Sequence, residues 1–467
     1  MTIRIEKDTL GEMEVPASAY YGAQTARAVH NFPISGLKPH PAFVWATVII
    51  KKAAAKANMA TGRLAPEIGN AIVAAADEIL AGELRDQFVV DPFQAGAGTS
   101  HNMNANEVLA NRALELLGRE RGDFATLHPN DHVNMAQSTN DVIPTAIRLA
   151  SLETLDPLLE ALEGLEQALS AKAKQFDHVL KSGRTHLQDA VPIRLGQEFG
   201  AYSAAIRINR EGLEACIPAL LELGIGGTAV GTGLNAEPAY MRLIIEELAT
   251  ETGFPVTASP DLFHAMQDMD PFLALSSALR RTAVNLGRIA NDLRLLASGP
   301  ATGLDEIRLP AVQPGSSIMP GKINPSMAEM VNMVCFQVQG CDQSVMLAAQ
   351  AGQLELNVMM PLIAFNLLFS MEILKNCVHK FTESCILGIE ANEARCRRYL
   401  EDSLGLVTVL APYIGYNTAA EVAKESVASG RSIREIVRER DLMPEAELEE
   451  VMRPEHLTEP GLPLRES

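Results

Sequence analysis

The sequence predicts a mainly all-α fold built around a bundle of long helices. Hydrophobic residues make up 47% of the 467 residues but aromatic residues only 5%, so the core must consist of Ala, Leu, Ile, Val and Met, as in packed helices. Apolar residues recur at helical spacing from 141 to about 390, in stretches longer than most globular helices. A chain of this length suffices for two or three domains.

Ahead of that bundle, the residue pattern predicts a short extended start and then three helices. These helices begin near Pro41, run over 65–82, and run from about Asn102 toward Leu117. The Ser-Thr-Asn-Asp run at 138–141 then supplies capping side chains for the first helix of the bundle.

The bundle is predicted to contain helical stretches separated by polar, often Gly-rich breaks. The stretches are 141–155, 157–180, 188–222, 237–252, 271–298, 326–353 and 361–389. Beyond about residue 396 the pattern changes to shorter helices joined by turns. Helices of such length favour a bundle as the central part of the fold.

Charge and cysteine usage limit the classes of partner and compartment. Lys and Arg total 39 against 58 Asp and Glu, and the net charge of −19 disfavours nucleic acid and anionic membranes as partners. The six cysteines contain no CxxC pair, which indicates reduced thiols of a cytoplasmic protein and no metal site. The N-terminus lacks the apolar run of a signal peptide, and the apolar segment 358–371 is too short to span a bilayer.

Four breaks between helices are rich in hydroxyl and amide side chains and poor in carboxylates. They contain Thr99, Ser138-Thr139-Asn140, Thr185-His186, and Ser316-Ser317 with Lys322 and Asn324. Such groups, together with one fixed positive charge, can coordinate a small dianion. Each loop alone is equally well explained as a set of helix caps, but the four together favour a binding site.

The stretch 315–325 carries the most specific signal. Its glycines and prolines exclude regular helix and strand, yet it holds two serines, a lysine and an asparagine. A phosphate-binding P-loop is excluded, because five residues separate Gly315 from Gly321 and no hydroxyl residue follows Lys322.

This stretch resembles the motif shared by the fumarase/aspartase superfamily, and the resemblance extends over residues 3 to about 460. It implies a three-domain fold, with domains at 1–140, 141–395 and 396–467, in which the central domain is the long-helix bundle. It implies an enzyme that forms fumarate from a C4 dicarboxylate by anti-elimination, without cofactor or metal. It also implies a homotetramer whose active sites are each built from three subunits.

Within the superfamily, several segments resemble the aspartase branch, which releases ammonia from L-aspartate. The segments are 137–141, 189–192, 291–295 and 313–317. Two positions do not favour this branch, because Met360 stands where aspartases typically have Glu and His186 is shared with fumarases. An aspartase is therefore the preferred interpretation; a class II fumarase acting on L-malate is the alternative, and a non-catalytic helical scaffold is a third.

The resemblance also assigns roles to individual residues. Ser316 is expected to be the base for the Cβ proton, with Lys322 and His186 as further catalytic residues and Glu329 as a supporting partner of His186. The residues expected to bind substrate are Thr99, Ser138, Thr139, Asn140, Thr185, Ser317, Lys322 and Asn324.

Overall fold

Helices form most of the protein, which confirms the predicted fold class. The computed structural model describes residues 2–462. Its helices are Ala23–Asn31 (α1), Pro41–Ala60 (α2), Pro66–Leu80 (α3), Thr99–Leu116 (α4), Thr139–Gln175 (α5), Leu195–Glu214 (α6), Ile217–Leu221 (α7), Pro238–Thr252 (α8), Leu262–Gln267 (α9), Asp270–Leu296 (α10), Ser326–Gln350 (α11), Met360–Ser384 (α12), Glu393–Asp402 (α13), Gly405–Ile414 (α14), Tyr416–Ser429 (α15), Ile433–Glu439 (α16), Glu445–Val451 (α17) and Pro454–Thr458 (α18).

Short strands form two-stranded pairs between these helices. They are Ile3–Asp8 (β1), Gly11–Pro16 (β2), Leu180–Thr185 (β3), Gln188–Arg194 (β4), Glu222–Leu223 (β5), Thr257–Ala258 (β6), Ile307–Arg308 (β7) and Glu390–Ala391 (β8). β1–β2, β3–β4 and β7–β8 are antiparallel, whereas β5–β6 is parallel. No larger sheet occurs within residues 2–462, so each pair of strands only joins two segments of the chain. The core is built by the helices.

Helix α5 is continuous where the sequence predicts two helices, 141–155 and 157–180. It runs for 37 residues and contains both Pro144 and Pro157. An interior proline costs about 3 kcal/mol in a helix. Leu155 and Leu158, on either side of Pro157, are fully buried, and each such side chain contributes about 2 kcal/mol. Packing therefore outweighs the lost hydrogen bond, and the predicted break is wrong.

The predicted helix 188–222 is wrong in its first part. Residues 188–194 form β4, which pairs with β3 in an antiparallel hairpin, and helix α6 begins only at Leu195. The hairpin is irregular between Ser182 and Arg184, where Gly183 allows the strands to approach closely: a Cβ there would lie 2.7 Å from the carbonyl oxygen of Val191. This hairpin carries two predicted site residues at its tip.

One compact unit comprises residues 2–159, 211–283 and 336–375. Its core lies among α2, α3 and α4, where Val48, Ile72 and Leu109 are fully buried. Lys52 of α2 forms an ion pair of 2.6 Å with Glu251 of α8. These contacts hold α3 and α8 against α2, and α4 packs against α3.

A second compact unit comprises residues 160–210, 284–335 and 376–462. The shorter helices predicted beyond about residue 396 are present, and they enclose a core of their own in which Leu410, Val422 and Ile436 are fully buried. Hairpin β3–β4 packs against α13 and α14. The last five residues of the predicted domain 396–467 lie outside the described residues.

Helix α12 and the turn after it, Met360–Gly388, are long and apolar enough to cross a membrane by length and composition alone. However, 61% of the most apolar part is buried within the protein, and core helices of globular proteins meet the same criterion. Met360, which stands where aspartases typically have Glu, is the first residue of this helix and is fully buried.

Candidate active site

Ser138, Thr139 and Asn140 form the turn that opens the long helix α5. The backbone N–H of Ser138 donates to Asp141 Oδ1 at 2.9 Å, and the N–H of Asn140 donates to Ser138 Oγ at 3.2 Å. The first N–H groups of a helix carry partial positive charge and attract anions. This turn is therefore suited to hold a carboxylate.

Thr99 lies beside this turn, at the start of α4. Gly98, the residue before it, adopts φ +87°, and a Cβ there would lie 3.0 Å from Ile143 of α5, so a glycine is required. One turn further along α4, Asn102 Nδ2 donates to Thr139 Oγ1 at 3.2 Å. The starts of α4 and α5 are thus side by side, as the predicted site requires.

The carboxylate of Asp141 also binds a second loop, which it holds beside the 138–140 turn. It accepts hydrogen bonds from the backbone N–H groups of Gly226 at 3.1 Å and Thr228 at 3.0 Å. Asn140 Nδ2 donates to the carbonyl of Ala229 at 2.8 Å. Burial raises the pKa of Asp141 to about 6, although the three N–H donors and Lys51 oppose this shift.

The sequence predicts this Gly-rich loop, 226–235, only as a break between helices. Its density of glycine was the signal that it approaches another backbone closely. A cavity of about 420 Å³ opens here, with Gln137, Ser138, Thr228 and Ala229 in its lining. That volume is within the range of small-molecule sites.

Lys51 contacts the segment that leads into the turn, and it is another residue that the sequence does not predict to be part of the site. Its side chain is fully buried in α2, and its Nζ donates to Asn134 Oδ1 at 2.7 Å and to Gln137 Oε1 at 3.0 Å. Burial lowers its pKa to about 7, against the attraction of Asp141. No periodicity or motif in the sequence distinguishes Lys51 from other lysines. Because a lysine in a helix is normally exposed to solvent, the sequence does not predict its burial.

In the second unit, residues 315–325 form a loop whose two ends are tied together. The N–H of Gly315 donates to the carbonyl of Lys322 at 3.0 Å, and Asn324 Nδ2 donates to the carbonyl of Gly315 at 2.5 Å. Between these ends Ser317, Lys322 and the apolar Ile318 are exposed. The loop therefore has a closed neck and an accessible tip.

Ser316 lies just inside that neck with its hydroxyl oxygen already engaged as an acceptor. The backbone N–H of Ile318 donates to Ser316 Oγ at 3.2 Å, and that of Met319 donates at 3.0 Å. Two N–H donors directed at one oxygen favour negative charge on it. Asn324, predicted to bind substrate, here holds the neck closed.

Thr185 and His186 lie at the exposed tip of hairpin β3–β4. Thr185 pairs with Gln188, which leaves His186 and Leu187 as a two-residue turn with φ +56° and +57°. Such a turn is usually Asn-Gly, because other residues are strained at positive φ. Leu187 is 69% exposed, so contacts within residues 2–462 do not explain why this strained tip carries these side chains.

The structure thus brings the predicted site residues together in three groups. Thr99, Ser138, Thr139 and Asn140 meet in the first unit; Thr185 and His186 share the hairpin tip; and Ser316, Ser317, Lys322 and Asn324 share the tied loop. Glu329 lies in the first turn of α11, which follows that loop. Within residues 2–462 of one chain, no ion pair joins Glu329 to His186.

The long-helix fold is that of a family of lyases, as matches to two family models show. A family model described as Lyase matches residues 11–340, and one described as Fumarase C C-terminus matches residues 406–459. The chain belongs to the fumarase/aspartase superfamily, as its sequence predicts.

Known relatives and solved structures agree with this family over nearly the whole chain. Aspartate ammonia-lyase of Bacillus subtilis (strain 168) is 52% identical, over 98% of this chain and 97% of that protein, and the one of Pseudomonas fluorescens is 52% identical over 99% and 97%. The crystal structure of fumarate lyase:delta crystallin from Brucella melitensis bound to cobalt has a TM-score of 0.95 at 51% identity, covering 98% of this chain and 100% of that one. Recombinant class II fumarase from Schistosoma mansoni has a TM-score of 0.93 at 38% identity, covering 97% and 98%.

Proposed function

We propose that the protein is an aspartate ammonia-lyase, which converts L-aspartate to fumarate and ammonia in a reversible reaction without a cofactor. The observation that carries this proposal is the full-length identity of 52% to aspartate ammonia-lyase of Bacillus subtilis. Hydroxyl, amide and cationic side chains suited to a dicarboxylate are also present, from Thr99 to Asn324.

Ser316 is the proposed base. Its oxygen takes the proton from Cβ of aspartate, and the electron pair of the broken C–H bond moves into the neighbouring carboxylate, which becomes an aci-carboxylate with two negative charges. That pair then forms the C=C bond of fumarate while the C–N bond breaks and ammonia leaves with its electron pair. The N–H groups of Ile318 and Met319 support this role, because they stabilise the serine as an alkoxide.

The other polar residues are proposed to hold the two carboxylates and the leaving amino group. Thr99 and the 138–140 turn bind the reacting carboxylate and the amino group, since hydroxyl, amide and helix N-terminal donors are strongest toward a doubly charged group. Lys322 and Asn324 bind the other carboxylate, with Ser317 beside them. Thr185 and His186 complete the pocket, and Glu329 pairs with His186.

We further propose that the active protein is a cytoplasmic homotetramer in which three subunits form each active site. Exposed apolar residues of the bundle support this assembly. Met333, Phe336 and Leu347 of α11 are 64%, 66% and 60% exposed and recur on one face of that helix. An apolar stripe of this kind on a long helix is typical of a subunit interface.

The identity of the leaving group is tested by offering two substrates. Purified protein is incubated with L-aspartate and separately with L-malate, and fumarate is followed by its ultraviolet absorbance. Fumarate from L-aspartate supports the proposal. A class II fumarase is the second candidate, favoured by the fold similarity to the enzyme of Schistosoma mansoni, and it predicts fumarate from L-malate alone. Fumarate from neither substrate indicates a non-catalytic scaffold.

A further inference from the structure

Four charged side chains meet at the base of hairpin β3–β4, and we name them the hairpin-base cluster: Lys181, Arg184, Glu198 and Glu306. Lys181 Nζ lies 2.9 Å and 3.0 Å from the two carboxylate oxygens of Glu198 and 3.0 Å from Glu306 Oε2. Arg184 Nη1 donates a hydrogen bond of 2.9 Å to Oε2 of the same Glu306, and Arg184 Nη2 lies 2.9 Å from Glu306 Oε1 without forming a hydrogen bond. The cluster is thus a continuous network with two positive and two negative charges.

Two of the four side chains in the hairpin-base cluster are shielded from water, whereas Arg184 and Glu198 are 15% and 24% exposed. The side chain of Glu306 is completely buried and that of Lys181 is 1% exposed. Apolar side chains of similar size generally stabilise a fold at least as well as buried ion pairs do, whereas hydrogen-bonded ion pairs also restrict the orientation of the groups that they join. The network is therefore better suited to orient β3 than to stabilise the core.

The cluster connects β3 to elements that do not belong to the hairpin. Lys181 and Arg184 lie on β3, Glu198 on α6, and Glu306 immediately before β7. The backbone carbonyl of Glu306 also accepts a hydrogen bond of 2.9 Å from the N–H of Asn392, at the start of α13. Rotation of the hairpin about its base would break these contacts together.

The tip of the hairpin depends on its base for its direction. Thr185 is exposed, and His186 and Leu187 form the strained turn, so the described chain offers the tip little support. We propose that the hairpin-base cluster directs this tip and thereby places Thr185 and His186 at the substrate, which makes the four charged side chains positioning residues. The substrate part of this inference rests on the proposed function.

The test compares Glu306→Gln with a matched control, Glu166→Gln. Glu166 lies on α5 in the same unit, forms an ion pair of 3.3 Å with Arg210 and is not a member of the hairpin-base cluster. We expect Glu306→Gln to lower kcat/KM for L-aspartate at least tenfold and Glu166→Gln to change it less than twofold. An unchanged kcat/KM in Glu306→Gln, or an equal loss in the control, would overturn the inference.

A double-mutant cycle with His186→Ala separates positioning from a general loss of structure. If Glu306 acts through the tip, Glu306→Gln lowers kcat/KM less than threefold in the His186→Ala background. The same tenfold factor in both backgrounds would show that Glu306 acts independently of His186 and would refute the proposal. If Glu306→Gln does not fold, Arg184→Lys, with Arg210→Lys as its control, takes its place in the cycle.

Hydrogen exchange provides a readout that needs no substrate. In Glu306→Gln the ladder amides between Leu180 and Arg194 should exchange at least tenfold faster, and in Glu166→Gln they should exchange as in the wild type. Unchanged exchange in Glu306→Gln contradicts a positioning role. Faster exchange in a protein that forms fumarate from neither substrate would uphold the cluster's control of the tip and reject the proposed function.

Discussion

Nζ of Lys51 donates a hydrogen bond of 2.7 Å to Oδ1 of Asn134 from a site that solvent does not reach. Asn134 in turn accepts from Asn102 Nδ2 at 3.2 Å, and the same amide nitrogen contacts Thr139 Oγ1. A single buried amine therefore supports the segment that leads into the 138–140 turn. Because its pKa is near neutral pH, this support has a measurable pH dependence.

Lys51→Met should remove a pH dependence of stability between about pH 7 and pH 10. Burial lowers the pKa of Lys51 from 10.5 in the unfolded chain to about 7 in the folded protein. The contribution of such a group to stability is fully present above the unfolded pKa and is lost as the pH falls through the folded pKa. The unfolding free energy of the wild type relative to Lys51→Met should thus rise with pH, by up to about 1.4 kcal/mol per unit.

The neighbouring Lys52 is the matched control for this experiment. Its ion pairs with Glu251 and Asp77 raise its pKa against the opposing effect of burial. Lys52 therefore stays charged in both states over most of this range, and Lys52→Met should show a nearly constant difference from the wild type below about pH 9. Urea denaturation at several pH values measures both variants, and parallel curves for the two would contradict the buried titration of Lys51.

Ser316→Ala should nearly abolish turnover and leave the assembly intact. A general base contributes about 10² to 10⁴-fold to a rate, and alanine keeps the backbone but removes the oxygen that Ile318 and Met319 contact. The decisive measurement is kcat for L-aspartate together with the molecular mass by light scattering. Ser344→Ala, which removes a helix hydroxyl of α11, should keep wild-type kcat. A Ser316→Ala enzyme within a few-fold of wild type would remove Ser316 from the role of base.

Gly315→Ala should damage activity through the neck of the tied loop. A Cβ at this position would lie 2.3 Å from the carbonyl oxygen of Lys322, with which the N–H of Gly315 now pairs. We expect kcat/KM to fall about tenfold or more, in line with a loss of roughly 1.4 kcal/mol or more of transition-state stabilisation. Gly164→Ala is the control, because a Cβ on that glycine of α5 meets no atom within 4 Å. Equal activity of both variants would show that the neck is dispensable.

Leu187→Asn should raise the unfolding free energy of the single chain, because asparagine adopts positive φ with less strain than leucine does. Relief of strain at φ +57° is worth about 1 kcal/mol. Leu354, 82% exposed with φ +52°, is a matched control and should gain a similar amount on substitution by asparagine. If urea denaturation shows that only Leu187→Asn destabilises the protein, Leu187 contacts another subunit.

Much of the helical architecture is predictable because long runs of apolar residues at helical spacing leave few alternatives. The predicted helix 65–82 corresponds to Pro66–Leu80, and 237–252 to Pro238–Thr252. The errors occur where local signals and packing disagree. Pro157 locally predicts the end of a helix, but the packing of the buried leucines on either side of it keeps α5 continuous.

The β3–β4 hairpin escaped prediction for a different reason. Its turn is His186-Leu187 rather than Asn-Gly, and its strands contain few of the β-branched or aromatic residues that mark a strand. The pairing is instead fixed by partners distant in sequence, among them Glu306. Long-range contacts of this kind leave no trace in local periodicity.

The candidate site likewise combines residues that the sequence predicted with residues that only the structure revealed. The candidate residues of the 315–325 motif and of the polar turns could be read directly from the sequence. The family and the lyase class that this motif and these turns predicted are confirmed. Lys51 and the loop 226–235 became visible only in three dimensions, since their partners lie dozens of residues away. The roles of the individual site residues stay predictions that the variants above address.

The closed neck between Gly315 and Lys322 has an entropic consequence. Ordering a free residue costs about 1 to 2 kcal/mol of conformational entropy, so closing eleven independent residues over a ligand would consume most of the binding energy of a small molecule. A loop with tied ends and an internally bonded Ser316 already holds much of that order before the ligand arrives. In the proposed reaction, substrate binding therefore has less of this loop left to order, and more of the binding energy remains for the chemical step.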